Sequence, residues 1–125
     1  MPFSILIVDD DAGFRRVARD LLTARGYGVA GEAASLAEAR AAVEARAPDG
    51  ILLDVNLPDG DGLDFLSELW PAEPAMRVLL TSNHESPAPA EVVKRLGAAG
   101  FVRKRDLVGA HLPGYFDGFA EASAD

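Results

Sequence analysis

The chain has no cysteine, only two histidines and no apolar run of transmembrane length. Without thiols there is no disulfide framework, no cysteine-based zinc site and no thiol nucleophile. His84 and His111 show no ligand spacing, so surface or packing roles are expected for both. The opening Met1-Pro2-Phe3-Ser4 lacks a basic leader region, and a soluble cytoplasmic protein without membrane contact is expected. Basic residues are also scarce. Twelve Lys and Arg against twenty Asp and Glu leave a net charge of −8, which argues against direct nucleic-acid binding, because a phosphate backbone requires a basic face. Internal repeats and low-complexity tracts are lacking as well.

What remains is a globular composition, 49% hydrophobic over 125 residues, the size of one domain with a core of its own. A domain over 1–120 is expected, with 121–125 as a tail. Apolar β-branched runs alternate with helical patterns. Ile5-Leu6-Ile7-Val8 is continuous hydrophobe, as in a parallel strand covered on both faces. Phe14, Val17, Ala18, Leu21 and Leu22 then follow helical spacing up to Gly26. The alternation repeats with a weaker strand over 27–32 and a helix over 36–47. A strand at 51–53 and a helix stopped by Pro71 follow. A fourth strand over 76–80, a helix ended by Gly97, a strand at 100–102 and a helical stretch from Leu107 complete it. His111-Leu112-Pro113-Gly114 should break or kink that last helix. Tyr115, Phe116 and Phe119 have helical spacing and read as core. Such a chain predicts an α/β three-layer sandwich: a doubly wound, flavodoxin-like, five-stranded parallel sheet of order 2-1-3-4-5.

In that order the switch point lies between the first and third strands, and ligands bind beyond the strands' carboxyl ends. Asp9 and Asp10 follow the first strand and Asp54 closes the third. Thr81 closes the fourth, and Lys104 follows the fifth. Three carboxylates in one place repel one another, and a hard divalent cation such as magnesium relieves this with oxygen ligands. With the cation and Lys104 in place, a dianionic phosphoryl group is accommodated and an aspartate is a competent nucleophile. Singly, each residue has an ordinary explanation. Asp11 alone would cap a helix, Asp54 would start a turn, and Thr81 would end a strand. Several other signals fail. Asp54-x-Asn56 begins like a calcium loop, yet Pro58 and Phe65 stand where oxygen ligands are required. Gly60-x-Gly62 follows the third strand and lacks the third glycine of a dinucleotide fingerprint.

Together, Ile7-Val8-Asp9-Asp10-Asp11, Leu53-Asp54-Val55-Asn56-Leu57-Pro58-Asp59-Gly60-Asp61-Gly62, Leu80-Thr81-Ser82 and Gly100-Phe101-Val102-Arg103-Lys104 strongly resemble response-regulator receiver domains. The resemblance implies that Asp54 accepts a phosphoryl group from a histidine kinase or histidine phosphotransfer protein. It implies that Asp10, Asp54 and the Asn56 backbone carbonyl hold Mg2+, with Asp9 acting through a coordinated water. Lys104 and Thr81 are then the phosphate partners, and Thr81 and Phe101 the switch pair. A downstream effector or a fused output domain would read the face around the fourth helix and fifth strand. The chain would be a signalling switch in a two-component phosphorelay, not a turnover enzyme, catalysing only its own phosphorylation and dephosphorylation. Asn56 and Asn83 occupy positions where such domains tune phosphate lifetime.

Two departures stand out. Arg105 follows Lys104 where receivers very commonly have proline, and the last helix carries its Pro-Gly pair. They suit a rival reading, a receiver-like docking module that signals without phosphorylation. A haloacid-dehalogenase-type phosphatase is a weaker rival, because it needs an acid two residues after the nucleophile and Asn56 cannot serve.

Overall fold

The computed structural model describes residues 3–72, 75–86 and 88–116. Five strands, β1 Ser4–Val8, β2 Gly28–Ala33, β3 Gly50–Asp54, β6 Arg77–Ser82 and β7 Gly100–Arg103, form one parallel sheet in the order β2-β1-β3-β6-β7. Two short strands between them, β4 Asn56–Leu57 and β5 Gly60–Asp61, pair only with each other, antiparallel. Setting that small ladder aside, the sheet has the 2-1-3-4-5 order expected from the sequence.

Alternation along the strands sorts the apolar side chains into two cores. Leu6, Val8, Ile51, Leu53, Val78 and Leu80 point to one face. They pack there under α2 Leu36–Ala45, α3 Gly62–Ala72 and α4 Ala90–Arg95. Ile5, Ile7, Leu52 and Leu79 point to the other face, under α1 Ala12–Ala24 and α5 Leu112–Phe116. A strand buried on both sides has no polar alternation to show, which is why these segments read as unbroken hydrophobe. Each fully buried Leu or Ile contributes about 1.5–3 kcal/mol of burial free energy, so the central strands are the most strongly anchored in the core. Their carboxyl ends hold whatever follows them.

Some boundaries differ from the sequence expectation. α2 ends at Ala45, with Arg46 already extended as its cap. α3 continues past Pro71 to Ala72, since a proline in the final turn costs a hydrogen bond without unwinding the turns before it. β6 begins at Arg77 and runs on to Ser82. α4 starts at Ala90, and Gly97 closes it at φ +104°, a conformation that favours glycine.

The last helical stretch divides in two. A 3₁₀ segment, Lys104–Gly109, contains Leu107, and α5 begins only at Leu112. The break therefore precedes Pro113, which sits in the first turn of α5, where its missing amide is harmless. Arg25 holds the end of the 3₁₀ segment, its guanidinium donating to the carbonyls of Val108 at 2.5 Å and Ala110 at 3.2 Å. Of the expected aromatic set, Phe116 is buried and Tyr115 partly so. Phe119 and the expected tail, 121–125, lie outside the described residues.

Candidate functional site

At the carboxyl end of β1, Asp9 is held by both its backbone and its side chain. Its amide donates to Ala33 O at 2.9 Å, and its carbonyl accepts from the Arg15 guanidinium at 2.6 Å. Its Oδ1 accepts from the Asp11 amide at 2.9 Å. Asp11 in turn caps α1 through the amides of Gly13 and Phe14, at 2.9 and 3.3 Å. The chain therefore leaves β1, turns over three carboxylates and enters a helix within four residues. Asp54 ends β3 in register with Thr81 on β6, and the amide of Val55 donates to Thr81 O at 2.9 Å. Lys104 follows β7 directly, as the first residue of the 3₁₀ segment.

These ends meet in a cleft of about 570 Å³ lined by Asp10, Asp11, Asp54, Asn56, Asn83, His84 and Lys104. Asp9 and Asp54 are buried, whereas Asp10 is exposed at the rim, and oxygens of the three lie within 4.8 Å of one another. The Lys104 ammonium sits between the buried pair, 2.7 Å from Asp9 Oδ2 and 3.3 Å from Asp54 Oδ2. The ammonium also lies over the Phe14 ring, with Nζ 4.8 Å from the centroid. Burial raises the Asp54 carboxyl above the ordinary aspartate range. The amide of Asn56 opposes this, the charge of Asp9 adds to it and Lys104 counters it. For Lys104, burial alone would favour the neutral amine. The hydrogen bond with Asp9 and the charges of Asp9 and Asp54 outweigh it, so its affinity for the proton is raised.

Thr81 is fully buried, and its Oγ1 has no hydrogen-bond partner among the described residues. An unpaired buried hydroxyl is costly, and it lies at the end of β6, level with Asp54. The structure thus gathers Asp9, Asp10, Asp54, Asn56 and Lys104 at one cleft, with Thr81 beside Asp54. Phe101 is not in the cleft. It is half-buried on β7, against the core under α2, α3 and α4. Of the three consecutive basic residues, Lys104 alone reaches the carboxylates, while Arg105 is exposed. His84 is exposed at the cleft rim, its amide bonded to Ser82 Oγ at 3.1 Å.

Sequence reasoning missed the supporting residues. Gly62 begins α3 so close to β3 that a Cβ there would lie 2.5 Å from the carbonyl oxygen of Asp54. Asp59, in the β4–β5 turn, accepts from the first two amides of α2, Leu36 and Ala37, at 2.8 and 3.0 Å. These bonds hold its carboxyl below the usual range. Arg15 carries no signal in the sequence. Its Nε also pairs with Glu32 at 3.0 Å, so β2 and α1 jointly brace the carbonyl of Asp9.

The grouped side chains Asp9, Asp10 and Asp54 offer hard carboxylate oxygens, which fits magnesium. The Lys104 ammonium between the two buried carboxylates already offsets part of their repulsion.

Sequence comparison agrees with this architecture. Residues 5–108 match the family described as the response regulator receiver domain. The chain is 32% identical to the chemotaxis protein CheY of Thermotoga maritima over 100 residues, 80% of this chain and 83% of that one. It is 39% identical to the DNA-binding transcriptional activator DevR/DosR of Mycobacterium tuberculosis over 109 residues, 86% of this chain but only 50% of the relative. A solved response regulator from Burkholderia pseudomallei, crystallised with a phosphorylated aspartic acid, a calcium ion and citrate, superposes with a TM-score of 0.79 at 26% identity. That alignment covers 97% of this chain and 71% of that one. The chain belongs to the response regulator receiver domain family, the receiver module of two-component signalling. Among the described residues no helix is long and apolar enough to cross a membrane.

Proposed function

We propose that this receiver is a phosphoacceptor and that Asp54 takes the phosphoryl group. The observation that carries the reading is the meeting of Asp54, Lys104 and the acidic pair at one cleft, beside the unsatisfied Thr81 hydroxyl. A carboxylate oxygen of Asp54 attacks the phosphorus of a phosphohistidine. The new P–O bond forms as the P–N bond breaks, and the electron pair leaves on the imidazole nitrogen, which is reprotonated from solvent. The Lys104 ammonium neutralises the incoming phosphoryl oxygens, and the Thr81 hydroxyl finds its acceptor on one of them. Asp9, Asp10, Asp54 and the Asn56 carbonyl are the groups that would hold Mg2+, which supplies further charge neutralisation. Hydrolysis of the acyl phosphate returns the switch, so the domain turns over no separate substrate.

The donor is a histidine kinase or histidine phosphotransfer protein in the cytoplasm. Engagement of Thr81 draws the end of β6 toward the phosphoryl group and frees space behind it for Phe101. The resulting population shift is read at the α4–β7 face by an effector protein or a fused output domain. Residues 1–120 form this receiver unit.

The test is incubation with acetyl phosphate and magnesium, followed by intact-protein mass spectrometry. One phosphoryl adduct is expected, lost with Asp54→Ala and with chelator. A wild-type protein that takes up none would favour the docking-module reading, to which Arg105 and the divided last helix already lend some support.

A further inference from the structure

Lys104 presents a problem of aim. Its four-carbon stem is flexible, it starts an irregular 3₁₀ segment, and Arg105 follows where a proline would stiffen the chain. Yet its ammonium must exchange partners during the reaction, leaving the Asp54 oxygen for a phosphoryl oxygen. Carboxylates alone hold it badly through that exchange, because each contact uses one of its three N–H donors and one contact must break. Among the described residues, the other group placed on the ammonium is the Phe14 ring, 4.8 Å from Nζ. An aromatic face attracts a cation without accepting a directed hydrogen bond, and most strongly where water is excluded. Here the lysine side chain is 10% exposed, and that of Asp9 1%.

Phe14 is itself held in place. Its amide is one of the two that Asp11 caps, and α1 packs on the core beneath α5. The run from the acidic pair into α1 therefore contributes a carboxylate on one side of the ammonium and a ring on another. We propose that Phe14 is a positioning residue for phosphoryl binding: its π face keeps the Lys104 ammonium in the cleft while all its N–H donors stay available to the carboxylates and the phosphoryl oxygens. This rests on the phosphoacceptor reading and adds to it a residue outside the acidic and basic set.

The experiment measures two affinities on the full chain, Mg2+ alone and beryllofluoride at saturating Mg2+, by NMR titration. The proteins are wild type, Phe14→Tyr, Phe14→Leu and a protein with pentafluorophenylalanine at position 14. The fluorinated ring keeps the shape of Phe14 and reverses its electrostatics, so it stays informative even where Phe14→Leu perturbs folding. Beryllofluoride affinity is expected to fall about tenfold with Leu and with the fluorinated ring, the size of a desolvated cation–π contact. Phe14→Tyr should keep it, and Mg2+ affinity should stay within about twofold throughout, since the carboxylates are intact. Wild-type affinity for beryllofluoride with the fluorinated ring would overturn the proposal. So would an equal loss with Tyr, or a parallel loss of Mg2+ affinity, either of which marks Phe14 as a packing residue. A wild type that binds Mg2+ but no beryllofluoride would instead refute the phosphoacceptor reading on which the proposal stands.

Discussion

Replacing Asp54 by asparagine should make the metal-free protein more stable at neutral pH. The side chain is 6% exposed, stands beside the buried Asp9, and shares a single ammonium with it. Burial raises its carboxyl above the ordinary value, so between the unfolded and folded values the native state keeps a proton that the unfolded chain has lost. Stability is therefore greatest below the unfolded value and declines as the pH rises through that window, and at neutral pH the whole cost of ionisation is present. The asparagine side chain would have the same shape, could keep the bond from the Asn56 amide, and would leave Lys104 its 2.7 Å contact with Asp9. Relieving a destabilised functional site commonly gives about 0.5–2 kcal/mol. At roughly 3–6 °C per kcal/mol for a domain of this size, Tm should rise by roughly 2–12 °C. The assay is thermal denaturation in chelator across acid to neutral pH, and the gap should close toward acid, where Asp54 is protonated as well. Magnesium should narrow or reverse it, because wild type gains about 2.7 kcal/mol at a hundredfold excess over Kd and the variant loses a ligand. An Asp54→Asn protein that melts below wild type at neutral pH, or a gap independent of pH, would refute the reasoning.

Gly62→Ala places a methyl 2.5 Å from Asp54 O and 3.0 Å from Val55 Cα, so backbone must shift. A loss of about 1–3 kcal/mol in chemical denaturation, with slower phosphoryl uptake, is expected, and unchanged uptake would show that the site tolerates the shift. Asp59→Ala removes the carboxylate that caps α2 through Leu36 and Ala37. Because that carboxyl is held below its usual range, the stability it contributes is present at neutral pH and lost as the pH falls through the folded value. The variant should melt below wild type at neutral pH and approach it in acid, and a constant deficit would contradict the cap. Asn83 lines the cleft at its exposed rim. Asn83→Glu should accelerate loss of the phosphoryl group in an autodephosphorylation assay, and an unchanged rate would remove Asn83 from the control of phosphate lifetime.

The strands and their order were legible because burial on both faces leaves unbroken runs such as Ile5 to Val8, and a parallel sheet admits few windings. Asp9, Asp10, Asp54, Thr81 and Lys104 followed, since each stands at a strand's carboxyl end. What did not follow depends on contacts between distant segments. Phe14 reads only as a helix-face apolar residue until Lys104 is found against its ring. Arg15 has the same anonymity until it is seen on the carbonyl of Asp9. The β4–β5 ladder is two residues to a side, too short to carry any periodicity, so the cap that Asp59 provides was hidden with it. The start of α5 was misplaced because Pro113 reads as a breaker when its position within the helix is unknown, and in the first turn it breaks nothing.

Reductive trapping after acetyl phosphate treatment is the most direct test of Asp54 as the phosphoacceptor. Borohydride converts an aspartyl phosphate into homoserine, and peptide sequencing by mass spectrometry locates it. The account predicts homoserine at position 54 alone, dependent on magnesium. Homoserine at Asp9, Asp10 or Asp11 with Asp54 unmodified, or none at any position, would contradict it.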